Sequence, residues 1–105
     1  SADVIRTIRN DIGFDGVLVS DDLSMQALVG SFKFRTSGAL ASGCDLALHC
    51  SGDMMEMRQV AAGCFPLTGQ AASRIEKGEA MRRQKMLPLN MEYADAVVEF
   101  EAMLA

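Results

Sequence analysis

Two short apolar strands alternate with helices in this sequence, which predicts a parallel α/β fold. The first strand, residues 17–19, is apolar and β-branched at every second position, as is typical of a strand that is buried on both faces. The second, residues 45–50, is apolar until its end. Helices flank both strands, and the predicted order of elements is α-β-α-β-α-α-α. With 105 residues, the chain is one domain at most.

The chain opens with a predicted amphipathic helix. Ser1 is a suitable N-cap, and Asp3 in the first turn complements the helix dipole. Gly13 stands where a C′ glycine ends a helix. The apolar stripe of this helix consists of Val4, Ile5, Ile8 and Ile12. This stripe requires a sheet to cover it.

The irregular residues 20–31 predict a loop after the first strand, the place where α/β enzymes position functional groups. Residues 34–42 predict a second helix, which Gly43 ends. Asp53 is expected to cap a third helix that Pro66 stops. We interpret the methionines of this helix as core residues; they are Met54, Met55 and Met57.

Two further helices are predicted towards the end of the chain. Thr68 is the expected cap of the fourth and Asn90 that of the last, with residues 87–89 breaking the pattern between them. The apolar face of the last helix consists of Tyr93, Ala96, Val97, Phe100, Met103 and Leu104.

Composition and charge restrict the classes of partner. The net charge is −4, with a pI near 4.8, so we expect no nucleic-acid partner. There is no apolar run of membrane-spanning length, and hence no expected membrane partner. Cys44, Cys50 and Cys64 form no CxxC pair, and we interpret them as reduced, buried thiols of a cytoplasmic protein. His49 is the single histidine, so no metal site is predicted.

Two strands are too few for the fold that they predict. A parallel pair that is buried on both faces needs further strands beside it, because its edges and apolar flanks are otherwise uncovered. A (β/α)8 barrel needs roughly 250 residues, and this chain has strands for about a quarter of one. The chain is therefore expected either to associate with a partner or to be a piece of a larger domain.

Asp21 and Asp22 directly follow the first predicted strand, at the end of a parallel sheet where active sites lie. A carboxylate fixed there and exposed to a pocket is a candidate nucleophile, acid or base. The alternative is that one of them caps the following turn by accepting backbone N–H bonds. Spacing alone leaves both readings open.

The segment DIGFDGVLVSDDLSM, residues 11–25, resembles the nucleophile segment of glycoside hydrolase family 3, and more narrowly that of its bacterial β-N-acetylhexosaminidases. ASGCDLAL, residues 41–48, is similar to the next strand of that family. The resemblance implies that residues 1–105 are the C-terminal part of a (β/α)8 TIM barrel. They would hold its last two strands, their helices and a helical tail.

The resemblance implies retaining hydrolysis through a covalent glycosyl-enzyme on Asp21. Asp22, Ser24 and Met25 match the subfamily pattern and take supporting roles. His49 matches no family motif; it stands near the C-terminal end of the second strand, and we interpret it as a satisfied strand-end histidine, with a substrate-binding or supporting place at the pocket mouth as its alternative. The implied substrate is a saccharide that carries terminal β-linked N-acetylglucosamine, from peptidoglycan recycling, and no cofactor is implied. The family's Asp-His acid/base pair and its Pro-Gly-His-Gly segment have no counterpart in this sequence.

Two other functions remain open. The isolated chain is alternatively a non-catalytic fragment or a self-associating module that needs the missing part of the barrel. A family 3 β-glucosidase is the second alternative, although those enzymes usually carry an aromatic residue after the nucleophile, where this chain has Asp22. We interpret Arg35 as a helix-surface arginine, with an anion contact as its alternative, and Asp45 as a cap at the start of the second strand.

Overall fold

The computed structural model describes residues 1–67, 69–86 and 91–104. Helix α1 (Ala2–Arg6) runs directly into a π-helical segment (Thr7–Asp11). The elements that follow are β1 (Val19–Asp22), α2 (Phe32–Ala41), β2 (Leu46–Leu48), α3 (Met54–Ala62), α4 (Gly69–Lys85) and α5 (Tyr93–Leu104). The predicted order of helices and strands is confirmed, and the mixed helix and strand content is compatible with the α/β class.

The two strands form a parallel sheet in which Val19 pairs with Leu46 and Asp22 with Leu48. Strand β1 lies later in the chain than predicted, so Asp21 and Asp22 are its last two residues rather than the first two of the loop. The reason is that pairing with β2 continues to Leu23, whose N–H donates to the Leu48 carbonyl at 2.9 Å.

Most helix ends follow the sequence signals. Gly13 and Gly43 have φ of 76° and 110°, the left-handed conformation that a C′ glycine adopts without strain. Asp53 caps α3 by accepting from the Met55 and Glu56 amides at 2.8 and 2.9 Å. Ser1 stands at the N-cap of α1 but makes no side-chain cap bond there. The caps expected at Thr68 and Asn90 lie outside the described residues.

A buried ion cluster holds the N-terminal end of the sheet together. The Asp45 carboxylate, only 4% exposed, accepts from Arg9 Nη2 at 2.7 Å and from Arg74 Nη1 at 3.0 Å. It also accepts from the Leu18 amide at 2.9 Å, so one side chain connects the π-helical segment, both strands and α4. The prediction that Asp45 has a structural role before β2 is confirmed.

The apolar core of the described residues is very small. Leu23 is their one buried hydrophobic residue, while large apolar side chains on both strands, α1, α3 and α5 are exposed. Met54, Met55 and Met57 are 61%, 67% and 45% exposed, so the prediction that they form core is wrong for these residues, because the described residues leave them largely uncovered. The apolar faces are uncovered, as expected of two strands without neighbours.

The cysteines are free, as predicted for reduced thiols. Cys50 and Cys64 are nevertheless exposed and only Cys44 is partly covered, so the prediction that they are buried is wrong. No helix among the described residues is long and apolar enough to cross a membrane.

Candidate functional site at the C-terminal end of the strands

A β-bulge shapes the end of β1. Because Val19 pairs with Leu46 and Asp22 with Leu48, two residues of β1, Ser20 and Asp21, stand against one residue of β2. The Leu48 amide donates to Ser20 Oγ at 2.9 Å. Ser20 Oγ in turn donates to the Asp21 carbonyl at 2.8 Å. The bulge therefore changes the direction of β1 just where its carboxylates begin.

Asp22 is fixed by donors from both strands' loops. Its Oδ1 accepts from the Ser24 amide at 2.9 Å and from the Cys50 amide at 3.1 Å, and its Oδ2 accepts from Ser24 Oγ. The Ser24 hydroxyl and amide bonds, with smaller help from Cys50 and His49, hold the pKa of the Asp22 carboxyl below its ordinary value of 3.8. Asp22 thus stays ionised and ties the start of the β1–α2 loop to the end of β2.

Asp21 is exposed and has few partners. Its Oδ1 accepts from the amide of the adjacent Asp22 at 2.8 Å, a local bond that limits the rotation of the carboxylate. Among the described residues, Oδ2 of Asp21 has no hydrogen-bond donor. The two aspartates that the sequence could not distinguish therefore differ clearly: Asp22 is bound on both oxygens, and Asp21 presents one.

His49 directly follows β2 and its side chain is only 4% exposed. Its Nε2 lies 3.0 Å from Glu56 Oε2 and 2.9 Å from Ser51 Oγ, and its ring meets that of Phe32 edge-on at 4.9 Å. Its Nδ1 lies 4.0 Å from Asp22 Oδ1 and has no hydrogen-bond partner in the described chain. His49 therefore lies beside Asp22. The spacing of residues in the sequence did not predict its contact with Glu56.

An open groove of about 620 Å³ runs along β1 between α1 and α2. Its lining is mainly apolar and includes Asp21 and Met25, together with Leu28 and Val29 of the β1–α2 loop. The structure therefore brings two of the predicted site residues, Asp21 and Met25, to one surface. Asp22 and Ser24 form a separate, hydrogen-bonded pair beside it, and His49 Nδ1 lies 4.0 Å from Asp22 Oδ1.

Arg35, in the first turns of α2, binds the loop between β1 and α2. It donates to the carbonyls of Leu23 and Leu28 at 2.7 Å each, to that of Gly30 at 3.0 Å and to that of Met25 at 3.4 Å. Arg35 thus lies on the surface of α2 as predicted, but it is half-buried and directs its donors at backbone oxygens of the loop. A single arginine at a helix start carries no sequence signal for this role.

No group of three or more His, Cys, Asp or Glu side chains in residues 1–67, 69–86 and 91–104 is arranged to hold a metal ion. The chemistry that the described site offers is that of carboxylates: one ionised and bound, one exposed at the end of a strand. An exposed carboxylate at this end of a parallel strand is compatible with the parallel α/β class, in which functional groups lie at the C-terminal ends of the strands.

Comparison with known proteins narrows that class. Residues 2–86 match the model of the glycosyl hydrolase family 3 N terminal domain, and the chain therefore belongs to this family, whose N-terminal domain is a TIM barrel. The resemblance seen in the sequence is thereby confirmed. No solved structure matches the chain significantly.

Curated relatives agree with the family assignment. A beta-hexosaminidase of Chromobacterium violaceum is 39% identical over 72 residues, which cover 67% of this chain and 20% of the relative. One of Bordetella pertussis is 38% identical over 55 residues, or 50% of the chain and 16% of the relative. One of Pseudomonas aeruginosa is 48% identical over 46 residues, 42% of the chain and 14% of the relative. The chain thus spans about a fifth or less of these proteins.

Proposed function

We propose that this chain supplies the nucleophile of a retaining family 3 glycosidase that removes terminal β-linked N-acetylglucosamine. Asp21 would attack the anomeric carbon as the glycosidic bond breaks, and the aglycone would leave with a proton from the acid/base group. Water would then hydrolyse the covalent glycosyl-enzyme and free Asp21. The observation that carries this proposal is the contrast between the exposed Asp21 carboxylate and the fully bound carboxylate next to it. A nucleophile needs a fixed position together with an accessible oxygen, and Asp21 has both.

The position of Asp21 also suits this role physically. The β1–β2 ladder and the bulge at Ser20 hold its backbone, and the Asp22 amide restrains its carboxylate at 2.8 Å. A retaining enzyme places the second carboxyl-bearing or equivalent acid/base group roughly 5–5.5 Å from the nucleophile. In this proposal that group comes from a part of the barrel beyond the described residues, and residues 1–105 form the C-terminal portion with the last two strands.

The proposed substrate is an N-acetylglucosamine-containing saccharide, since the relatives are named beta-hexosaminidases. Within that proposal, peptidoglycan fragments recycled in the cytoplasm are the natural source of such a saccharide. The β-glucosidase alternative is less well supported, because neither the relatives' names nor the residue at position 22 favours it.

A direct test is hydrolysis of chromogenic β-N-acetylglucosaminide and β-glucoside by the full-length gene product. We expect the N-acetylglucosaminide to be preferred. A slow-reacting fluorinated glycoside should then leave its sugar on the peptide that contains Asp21, as mass spectrometry would detect. Inversion of anomeric configuration, or labelling at another residue, would overturn the proposed mechanism.

The second candidate function is a non-catalytic, associating fragment, which the exposed apolar surface favours. Among residues 1–67, 69–86 and 91–104, twenty-two large hydrophobic side chains are exposed and one hydrophobic residue is buried. So large an exposed apolar surface favours a covering partner. Size-exclusion chromatography and the same assay on residues 1–105 alone would separate the two readings. Appreciable turnover by residues 1–105 alone would exclude the fragment reading.

A further inference from the structure

We infer that Arg35 is a positioning residue that holds the β1–α2 loop, residues 23–30, as a wall of the site beside Asp21. This inference rests on the proposed function, because it assigns the loop to the same site. Arg35 itself need not touch substrate. It acts through the backbone carbonyls to which its guanidinium donates hydrogen bonds.

The geometry shows how one side chain fixes a whole loop. All three nitrogens of the guanidinium donate: Nε to Gly30, Nη1 to Leu23 and Met25, and Nη2 to Leu28. The acceptors are distributed over the whole of residues 23–30, so the loop closes around a single cation. Phe32 packs against the guanidinium from the same helix, with the ring centroid 5.0 Å from its central carbon.

The loop has few other restraints. Asp22 fixes its beginning through Ser24, and the Leu28 amide donates to the Met25 carbonyl at 3.1 Å. Leu23 at its start is buried, but the apolar side chains further along the loop are exposed: Met25 is 45%, Leu28 39% and Val29 82% exposed. Without Arg35, the carbonyls at the far end of the loop would turn to water and the loop would lose its fixed path.

The held loop faces the site. Met25, Leu28 and Val29 line the same groove as Asp21, so the path of the loop sets the shape of the surface beside the carboxylate. The backbone of Asp21 is held separately, by the pairing of β1 with β2. Loss of Arg35 should therefore weaken substrate binding while leaving the nucleophile in place.

The test compares Arg35→Met, Arg35→Lys and the exposed control Arg58→Met in the full-length gene product. We expect Arg35→Met to raise KM for the chromogenic N-acetylglucosaminide by about tenfold or more, with kcat within about threefold of wild type. Arg35→Lys should recover part of the KM, since an ammonium donates to some of these carbonyls but lacks the planar fork. Arg58→Met should leave both constants unchanged.

Amide hydrogen exchange gives a readout that does not depend on activity. Arg35→Met should speed exchange in residues 23–30 by about tenfold while leaving β1 and β2 protected. Unchanged exchange in the loop, or an unchanged KM with the activity intact, would overturn the inference; Arg35→Lys decides both points should the methionine variant fail to fold. Failure of the proposed function would appear differently, as a wild-type protein without turnover on either glycoside.

Discussion

At each end of the strand pair an aspartate side chain joins the two strands, but different groups stabilise its negative charge. At the N-terminal end, Asp45, which precedes β2, accepts from the amide of Leu18 next to β1. At the C-terminal end, Asp22 of β1 accepts from the amide of Cys50 beyond β2. Each carboxylate thus ties one strand to the backbone beside the other. Two arginines neutralise Asp45, whereas neutral N–H and O–H donors satisfy Asp22.

This comparison clarifies what Asp21 is free to do. At the C-terminal end Asp22 joins the two strands, whereas Asp21 accepts only from the adjacent amide. Asp21 is exposed and bound only locally, at a place where the N-terminal end has no counterpart. A charged residue that the fold does not require, at the end of a strand, is the arrangement expected of a functional group.

The largest effect is expected from Asp21→Asn in the full-length gene product. An amide cannot serve as the nucleophile, so turnover should fall by about 10³-fold or more with the melting temperature unchanged. Asp22→Asn keeps an oxygen that accepts the Ser24 and Cys50 amides, and should cost about tenfold or less. Equal losses in the two variants would contradict the division of roles between the aspartates.

The next largest effect is expected at the opposite end, from Asp45→Asn. This change removes the carboxylate that Arg9 and Arg74 share, although each side chain is only 14% exposed; Arg74 keeps its contact with Asp15 at 3.3 Å, and Arg9 keeps none with a carboxylate among the described residues. Breaking a buried ion cluster in this way costs about 3–5 kcal/mol. Urea unfolding of the full-length gene product should therefore show a large loss of stability, while kcat of the folded fraction stays close to wild type. A specific loss of kcat would place Asp45 in the catalytic site instead.

The order of elements could be predicted, because it depends on local signals. Glycines at helix ends, the Asp53 cap and the apolar strands are encoded within a few residues. The pairing of Asp45 with Arg9 and Arg74, in contrast, joins residues 36 and 29 positions apart, which no local pattern records. The prediction of core methionines was wrong because it assumed neighbours that the described residues do not supply.

The difference between the aspartates could not be predicted for a related reason. It depends on the bulge at Ser20 and on the Cys50 amide, which comes from 28 residues further along the chain. The resemblance to a family assigned Asp21 its role without a physical reason. The bound state of Asp22 supplies one, although the role itself stays a prediction until the variants are measured.

A smaller effect is expected at His49, where two variants separate its two nitrogens. His49→Gln retains a donor able to reach Glu56, and His49→Asn retains one near Nδ1. Because Nε2 has partners at 3.0 and 2.9 Å and Nδ1 has none in the described chain, Gln should be tolerated better than Asn. We expect a difference of about 1 kcal/mol in unfolding free energy. The reverse order would indicate that Nδ1 interacts with Asp22.

The smallest effect, and the most specific to the C-terminal end, is the response of Asp22 to acid. Its folded-state pKa lies below the unfolded value, so its contribution to stability is present above about pH 3.8 and is lost as pH falls through the folded value. Ser24→Ala removes the hydroxyl bond that lowers this pKa most, so the pKa should rise towards 3.8 and the acid dependence should shrink. Carboxyl NMR titration of both proteins would measure the shift.

Asp45 offers the internal control, because its pKa is also lowered: burial alone would raise it, but the Leu18 amide and the Arg74 and Arg9 guanidinium groups outweigh that effect. Ser24→Ala should leave the titration of Asp45 unchanged, and a parallel shift in both groups would show that the two ends are coupled through the strands.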